Sequence, residues 1–410
     1  MVSLTTSGKK QLDDLVAKII EEKKIPGFVF GVTSSDEEIY FKTGGYRVLD
    51  DPASGPVVPD SIFWLCSQTK LIAHIAVLQL IDLGKLSLDD LVSDYIPELA
   101  NPVVLDDINV ENSGFKPAKT PIRIKHVLNF SSGLFYIPRV GNPTHLSGPY
   151  SSKPHNQDNP IGHFLSLIKG DLPGIPLAFE PGESWIYGWG SDIAGFVVEK
   201  VTGKSLEQYL QDNVFKPLDI NASFYLTPDL KDKLVELCYR RDGNLEPGSK
   251  QTEEVVIERD PAKLKLHLGG VGLYSSLQGY LNLLRHLLQI KAGSAQNPIL
   301  SKKSVDSLFE GALTEAGAKN ITWLSSAVDP TVPATPIQWS TGLAVCEADW
   351  PGKRKKGSAY WGGWANLSYF IDPTTGVAVV FATQLVPPFD PHVQKYYAEL
   401  EKTLYLALGN

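Results

Sequence analysis

The segment from Ser67 to Leu83 is apolar almost all round a helix, and this constrains the fold more than any other feature. After the first turn most positions are Leu, Ile, Ala or Val, and Gly84 ends the pattern. A helix without a polar face is stable in water only when other elements cover it. The chain must therefore build a layered core around this segment, and its 410 residues with 43% hydrophobic content are sufficient for one.

Patterns at the two ends of the chain predict a single sheet with flanking helices. A helix is predicted at residues 5–22 and a hairpin at residues 28–33 and 38–41. Further strands are predicted at residues 339–347, 357–361, 365–371 and 377–382, and a final helix at residues 396–408. We therefore predict an α+β protein in which residues 1–84 plus 271–410 form an α/β domain. Residues 85–270 would form a mostly helical insert domain.

Composition excludes several classes of partner. The net charge of -8 provides no basic field for a nucleic acid or an anionic membrane. No apolar run approaches the roughly 20 residues of a membrane helix, and the N-terminus lacks a secretory signal, so we expect a cytoplasmic protein. The three cysteines, Cys66, Cys238 and Cys346, have no zinc or disulfide spacing. We expect three buried free thiols and no metal site.

Ser67 and Lys70 are the candidates for chemistry. Residues three apart share a helix face, so the Lys70 ammonium can reach the Ser67 hydroxyl at the positive end of the helix dipole. A lysine desolvated inside an apolar helix can lose its proton and then deprotonate the serine. His74 lies about 10 Å further along the helix, which favours a core position. Taken alone, the same spacing also fits a capped helix with a snorkelling lysine.

Five ordered segments place this pair in a known context. Together they resemble the serine β-lactamase and penicillin-binding-protein superfamily, in its class C and family VIII esterase branch. Some stretches also resemble fungal secondary-metabolite acyltransferases of that branch. The segments are Phe63–Lys70 with Gly84–Asp90, His126–Leu134, Phe179–Gly188, Gly269–Ser276 and Gly357–Trp364.

The resemblance implies the β-lactamase/transpeptidase-like fold, with an antiparallel sheet flanked by helices and a large insert. It makes Ser67 the nucleophile, Lys70 its base or proton partner, and Tyr187 a second acid/base group. It places the oxyanion hole at the backbone N–H groups of Ser67 and Trp364, and two such donors suit a tetrahedral intermediate. It implies neither a metal nor an organic cofactor.

Two departures from β-lactamases bear on the substrate. Tyr187-Gly188-Trp189 stands where Tyr-x-Asn is usual, and Trp361-Gly362-Gly363 where Lys-Thr-Gly is usual, so an amide and a cation for the β-lactam are missing. We predict an aromatic mouth for apolar groups, with core packing of some tryptophans as the alternative. The predicted substrate-binding residues of this mouth, beside Trp364, are Trp185, Trp189, Trp361, Gly362 and Gly363.

These observations predict a serine acyl enzyme that hydrolyses or transfers acyl groups of neutral esters through acyl-Ser67. Its partners would be a small-molecule ester or thioester donor and an alcohol acceptor, with the oligomeric state left open. The enzyme alternative is a β-lactamase or D,D-peptidase, and the non-enzyme alternative is a binding or scaffold protein. The basic run from Lys353 to Lys356 is expected to be a solvated turn. If it folds toward the site instead, it favours an anionic substrate.

Overall fold

The computed structural model describes residues 2–136, 148–150, 155, 158–248, 257–258 and 260–409, and the statements below concern this part of the chain. Its α-helices, numbered in chain order, are α1 Thr6–Glu22, α2 Thr69–Asp82, α3 Ile124–Leu128, α4 Pro160–Lys169, α5 Gly190–Thr202, α6 Leu206–Leu210, α7 Pro228–Lys231, α8 Leu277–Ala292, α9 Lys302–Asp306, α10 Glu315–Val328 and α11 Pro391–Ala407. A 3₁₀ turn at Cys66–Gln68 leads directly into α2.

The strands are short and lie in several sheets. In chain order they are β1 Phe28–Thr33, β2 Glu38–Gly44, β3 Tyr46–Val48, β4 Asp51–Pro56, β5 Ile62–Trp64, β6 Val103–Leu105, β7 Phe115–Pro117, β8 Pro176–Leu177, β9 Ala222–Ser223, β10 Cys238–Arg241, β11 Asn244–Pro247, β12 Tyr274–Ser276, β13 Ile337–Trp339, β14 Ala344–Cys346, β15 Ala359–Gly363, β16 Leu367–Asp372, β17 Val377–Ala382 and β18 Leu385–Val386.

The main sheet joins the two ends of the chain, as the sequence predicts. Its seven strands run in the order β13-β14-β15-β16-β17-β1-β2, and each pairs with its neighbour in antiparallel fashion. The two ends meet where β1 pairs with β17, with Val29 opposite Ala382. The α+β class and the antiparallel sheet flanked by helices are therefore confirmed.

Helices cover both faces of this sheet, so β1 and β17 are buried along their whole length. On one face, side chains of α1 and α11 such as Leu12 and Leu400 pack with Phe30 and Val379. On the other face, Val29 and its neighbours join a larger core. That core contains α2, whose residues from Thr69 to Leu80 are all buried. The apolar segment is thus covered on every side as far as Leu80, as its sequence requires, while Asp82 and Leu83 at its end are exposed.

The structure differs from the prediction at a few boundaries. Residues 339–347 hold the last residue of β13 and the whole of β14 instead of one strand, because Ser340 Oγ accepts from the N–H groups of Gly342 and Leu343 and makes a turn. The last helix begins at Pro391, earlier than predicted, because Asp390 caps its first N–H groups. The division into two domains at residues 84 and 271 stays a prediction.

The three cysteines are buried and free, as predicted. Within the described ranges, no helix combines the length and apolar character needed to cross a membrane. The same residues include no cluster of three or more His, Cys, Asp or Glu side chains that could hold a metal ion.

Candidate active site

The candidate nucleophile lies at the start of the buried helix. Strand β5 ends at Trp64, and the chain then turns through Cys66, whose φ is 49°, into the 3₁₀ turn that carries Ser67. Only 9% of Ser67 is exposed. The helix dipole therefore acts on Ser67 in a setting from which most water is excluded.

Lys70 lies one turn further along and contacts the serine directly. Its Nζ donates to Ser67 Oγ at 3.2 Å, to Tyr136 Oη at 3.0 Å and to the carbonyl of Gly270 at 2.8 Å. An ammonium has three N–H donors, and these three oxygens use all of them. The arrangement thus fits a protonated lysine that orients Ser67.

The charge around Lys70 opposes the effect of burial. Burial lowers the pKa of Lys70, but the oxygens of Tyr136 and Tyr187 and the carboxylate of Asp192 raise it, and the balance lies above the usual range. Burial alone therefore does not decide the protonation of this lysine, and its role as base or proton partner stays a prediction. The neighbours that raise the pKa come from distant parts of the chain.

Tyr187 packs beside Lys70 without a hydrogen bond to it. Lys70 Nζ lies 4.8 Å from the centre of the Tyr187 ring, a cation–π contact. The indole Nε1 of Trp361 donates to Tyr187 Oη at 3.1 Å. Because the phenol oxygen accepts from Trp361, its own hydrogen is free to turn toward a substrate. This geometry suits the predicted role of a proton donor.

Three residues that sequence reasoning missed extend the site inward. Tyr136 Oη bonds to Tyr150 Oη, which in turn donates to the carboxylate of Asp192. One signal was readable beforehand: Asp192 is a lone carboxylate before the apolar run of α5. Buried carboxylates of this kind need a partner. Nothing in the sequence showed that its partner would be Tyr150.

Strand β15 brings the predicted oxyanion donor beside the nucleophile. A Cβ on Gly363 would lie 2.8 Å from the carbonyl oxygen of Leu65 and 3.3 Å from Cβ of Cys66, so only glycine allows this approach. A Cβ on Gly362 would lie 2.4 Å from the carbonyl oxygen of Leu367 in β16. These glycines thus set backbone spacing.

The backbone N–H groups after Gly363 face the thiol that precedes the nucleophile. Burial raises the pKa of Cys66 to about 12, although the N–H groups of Ala365 and Trp364, together with the charge of Lys70, act to lower it. The Trp364 amide therefore lies next to the start of the nucleophile helix. Its role as second oxyanion donor stays a prediction.

The four tryptophans separate into two pairs. Trp185 and Trp189 are 3% and 0% exposed, so the prediction that they line a mouth is wrong. Trp189 instead packs edge-on against Tyr136, with ring centres 4.6 Å apart. Trp361 and Trp364 are half-buried and remain accessible, so they can form an aromatic wall of the site, and their substrate-binding role stays a prediction. Indole rings are amphipathic, so only packing decides which of them reach solvent.

The basic run turns away from this wall. Arg354 is 2% exposed and makes a two-pronged ion pair with Glu401 of α11, at 2.8 and 2.9 Å. Lys355 pairs with Asp349 at 3.5 Å. The expectation of a fully solvated turn is therefore wrong for Arg354. These two cations face carboxylates outside the site, so the run gives little support to an anionic substrate.

His74 has the structural position predicted for it. Its Nε2 bonds to Ser191 Oγ at 2.8 Å and its Nδ1 to the carbonyl of Thr341 at 2.9 Å. Burial lowers the pKa of His74 to about 4. The ring is therefore neutral near pH 7 and joins α2 to its neighbours.

The fold and the Ser-Lys-Tyr arrangement define a serine acyl enzyme of the β-lactamase type. The chain belongs to the Beta-lactamase family, whose sequence model matches residues 12–403. A lovastatin esterase from Penicillium rubens is 33% identical, covering 96% of each chain. A monacolin J acid methylbutanoyltransferase from Aspergillus terreus is 27% identical, covering 95% of this chain and 93% of its own.

Solved structures agree with this assignment. Unliganded simvastatin synthase from Aspergillus terreus has a TM-score of 0.80 at 25% identity, covering 98% of both chains. EstCE1, a hydrolase with promiscuous acyltransferase activity, has a TM-score of 0.74 at 22% identity and supports the fold. The predicted family is confirmed, and the protein is a serine enzyme that hydrolyses or transfers acyl groups. The binding-protein and scaffold alternatives are thereby set aside.

Proposed function

We propose that the protein hydrolyses or transfers the acyl group of neutral esters through an acyl enzyme on Ser67. The observation that carries this proposal is the 3.2 Å contact between Ser67 Oγ and Lys70 Nζ, buried at the start of α2. A serine hydroxyl is a weak nucleophile unless a neighbouring group accepts its proton. Lys70 is the group placed to do so.

The proposed reaction has two halves. Ser67 Oγ attacks the ester carbonyl as its proton passes to the amine form of Lys70, and the N–H groups of Ser67 and Trp364 stabilise the oxyanion. Tyr187 gives its proton to the departing alcohol and takes up the proton that Lys70 received, so both groups return to their starting forms. In the second half, water or an acceptor alcohol attacks the acyl-Ser67 ester. Hydrolysis and transfer differ only in that acceptor.

The substrate class follows from what surrounds Ser67. Trp361 replaces the lysine that β-lactamases use beside a carboxylate, and the Arg354 cation is paired with Glu401. An apolar acyl chain gains roughly 0.8 kcal/mol for each buried methylene. The names of the relatives, a lovastatin esterase and a methylbutanoyltransferase, support short acyl esters or thioesters as donors. Alcohols such as monacolin J acid are candidate acceptors.

The test is intact mass spectrometry after mixing with p-nitrophenyl butyrate or a fluorophosphonate. The wild type should gain one acyl or phosphonyl group, and Ser67→Ala should gain none. Ser275→Ala, which changes a buried serine in β12, is the matched control and should label fully. A labelled Ser67→Ala protein would refute the proposal. Repeating the reaction with lovastatin, or with monacolin J acid as acceptor, separates hydrolysis from transfer.

A further inference from the structure

A buried chain of hydroxyl groups leads from Lys70 to a carboxylate on the side away from Ser67. Lys70 Nζ lies 3.0 Å from Tyr136 Oη, which lies 2.8 Å from Tyr150 Oη, and this lies 2.7 Å from Asp192 Oδ2. Lys70, Tyr150 and Asp192 are each at most 2% exposed. The mechanism above leaves these two hydroxyls and the carboxylate unused.

The hydrogen bonds between these hydroxyl groups all run in one direction. An ionised carboxylate only accepts hydrogen bonds, so Tyr150 must donate to Asp192. The Tyr150 oxygen then accepts from Tyr136, and the Tyr136 oxygen accepts from the Lys70 ammonium. Each donor therefore points toward Asp192, and each bond polarises the next.

Gly270 joins the same two charges by a second route. Its N–H donates to Asp192 Oδ1 at 2.8 Å, and its carbonyl accepts from Lys70 Nζ at 2.8 Å. A Cβ at this position would lie 2.5 Å from Asp192 Oδ2 and 2.7 Å from Tyr150 Oη. Only glycine fits between the carboxylate and the ammonium.

We propose that Tyr136, Tyr150 and Asp192 act through Lys70 as a proton relay, which lets a lysine that rests as an ammonium serve as the base for Ser67. This inference rests on the proposed function and names further residues for it. The three relay residues are positioning residues, because they contact Lys70 or one another and not the reacting atoms.

The proton movements balance without any outside reactant. One proton passes from Lys70 Nζ to Tyr136 Oη, the Tyr136 proton passes to Tyr150 Oη, and the Tyr150 proton passes to Asp192 Oδ2. Both tyrosines stay neutral, while the ammonium and the carboxylate become an amine and a carboxylic acid. The amine then takes the Ser67 proton as Oγ attacks. Lys70 then passes this proton to Tyr187, which has given its own to the departing alcohol, and the reverse relay returns the Asp192 proton to Lys70.

Burial favours the state in which Lys70 is a neutral amine and Asp192 a carboxylic acid. A low-dielectric interior penalises both charges of a separated pair, and the shift removes both. The same effect raises the pKa of the Asp192 carboxyl, against the opposing influence of Lys70 and its hydrogen bonds. The titratable side chains facing the pair are Tyr136, Tyr150, Tyr187, His74 and Cys66. Burial keeps His74 neutral, with its pKa lowered to about 4, and the Cys66 thiol protonated, with its pKa raised to about 12.

The relay predicts how kcat/KM depends on pH. In the wild type the active form holds one proton shared between Lys70 and Asp192, so kcat/KM should be flat from about pH 7 to 9. Without the relay Lys70 must lose its proton to solvent. Activity should then rise about tenfold per pH unit below the lysine pKa.

The experiment compares Tyr150→Phe and Asp192→Asn with Tyr405→Phe, using p-nitrophenyl butyrate from pH 6 to 10. Tyr405→Phe also breaks a hydrogen bond between a tyrosine and a carboxylate, at 2.6 Å to Asp372, but away from Lys70. We expect the first two variants to lose about 10²-fold in kcat at pH 7 with little change in KM, and to show the rising profile. The double variant should be no worse than either single one. The control should stay flat and fully active.

A merely structural role would lower activity equally at every pH. That outcome, or a Tyr150→Phe enzyme with a flat profile and full kcat, would overturn the relay. Tyr150→Phe removes one oxygen and keeps the ring against Trp189, 5.0 Å away between ring centres, so it tests the relay even if Asp192→Asn does not fold. Fluorophosphonate labelling of Ser67→Ala tests the proposed function separately. If Ser67→Ala loses the label while Tyr150→Phe keeps the activity and pH profile of the wild type, the relay is refuted and the proposed function stands.

Discussion

At the residue scale, the chemistry depends on where the protons of Lys70 reside. Helix geometry alone places Lys70 beside Ser67. The carbonyl of Gly270 and the hydroxyl of Tyr136 then occupy its other two N–H groups. Lys70 therefore connects the nucleophile to the buried carboxylate, and its neighbours affect its protonation as much as its own burial does.

The role of Lys70 can be tested by a change that keeps its charge. Lys70→Arg should lower kcat about as much as Lys70→Ala does, because a guanidinium cannot give up its proton. We expect both substitutions to lower kcat by about 10³-fold or more. Steady-state hydrolysis of p-nitrophenyl butyrate measures both. Lys291→Arg, at an ion pair 2.8 Å from Asp306, is the control and should stay active. Substantial activity in Lys70→Arg would make Lys70 an electrostatic partner only.

Trp361 offers a second test, because its indole N–H is its one polar contact with Tyr187. Trp361→Phe keeps an aromatic ring in the wall but loses the donor to Tyr187 Oη. A hydrogen bond of this kind contributes about 0.5–1.5 kcal/mol, so kcat should fall by up to about tenfold with KM changed less. Trp323→Phe, on the exposed face of α10, is the matched control. A rise in KM with kcat unchanged would mean that Trp361 serves substrate packing.

At the element scale, the last helix is tied to the sheet by a buried ion pair. Arg354 lies between β14 and β15, and Glu401 belongs to α11. Both are almost fully buried, and the Arg354 guanidinium also stacks 4.2 Å from the centre of the Phe370 ring. Removing one partner would leave an uncompensated charge inside the protein.

Stability measurements can test this attachment. Glu401→Ala should lower the free energy of unfolding by about 3–5 kcal/mol in urea titrations, because Arg354 stays buried without its partner. Glu399→Ala removes an exposed pair with Lys395 at 4.0 Å and should cost at most about 1 kcal/mol. Equal effects of the two substitutions would show that the buried pair has no special weight.

At the scale of the whole molecule, the proposed substrate choice depends on Trp361, which stands where β-lactamases carry a lysine beside the substrate carboxylate. We expect kcat/KM to rise from acetyl to butyryl or hexanoyl p-nitrophenyl esters, since each methylene adds roughly 0.8 kcal/mol of burial. The kcat/KM for nitrocefin or penicillin G should be lower by orders of magnitude. Spectrophotometric assays of both substrate series give the comparison. Faster turnover of a β-lactam would restore the β-lactamase interpretation.

The sequence by itself determined the features that short-range geometry controls. The apolar pattern of residues 67–83 required a buried helix, and the spacing of Ser67 and Lys70 put both on one face of it. The strand patterns at both ends of the chain predicted their sheet, apart from the turn at Ser340, where local hydrogen bonds divide residues 339–347 between two strands. Each of these inferences uses neighbours a few residues apart.

Only the tertiary structure decided which groups meet across long distances in the chain. Tyr136 reaches Lys70 across 66 residues, and Tyr150 reaches Asp192 across 42. Trp189 is fully buried, whereas Trp361 is accessible, although the two side chains are chemically identical. Burial and charge are properties of the packed surroundings, which no local pattern contains. The protonation of Lys70 is therefore a consequence of the fold.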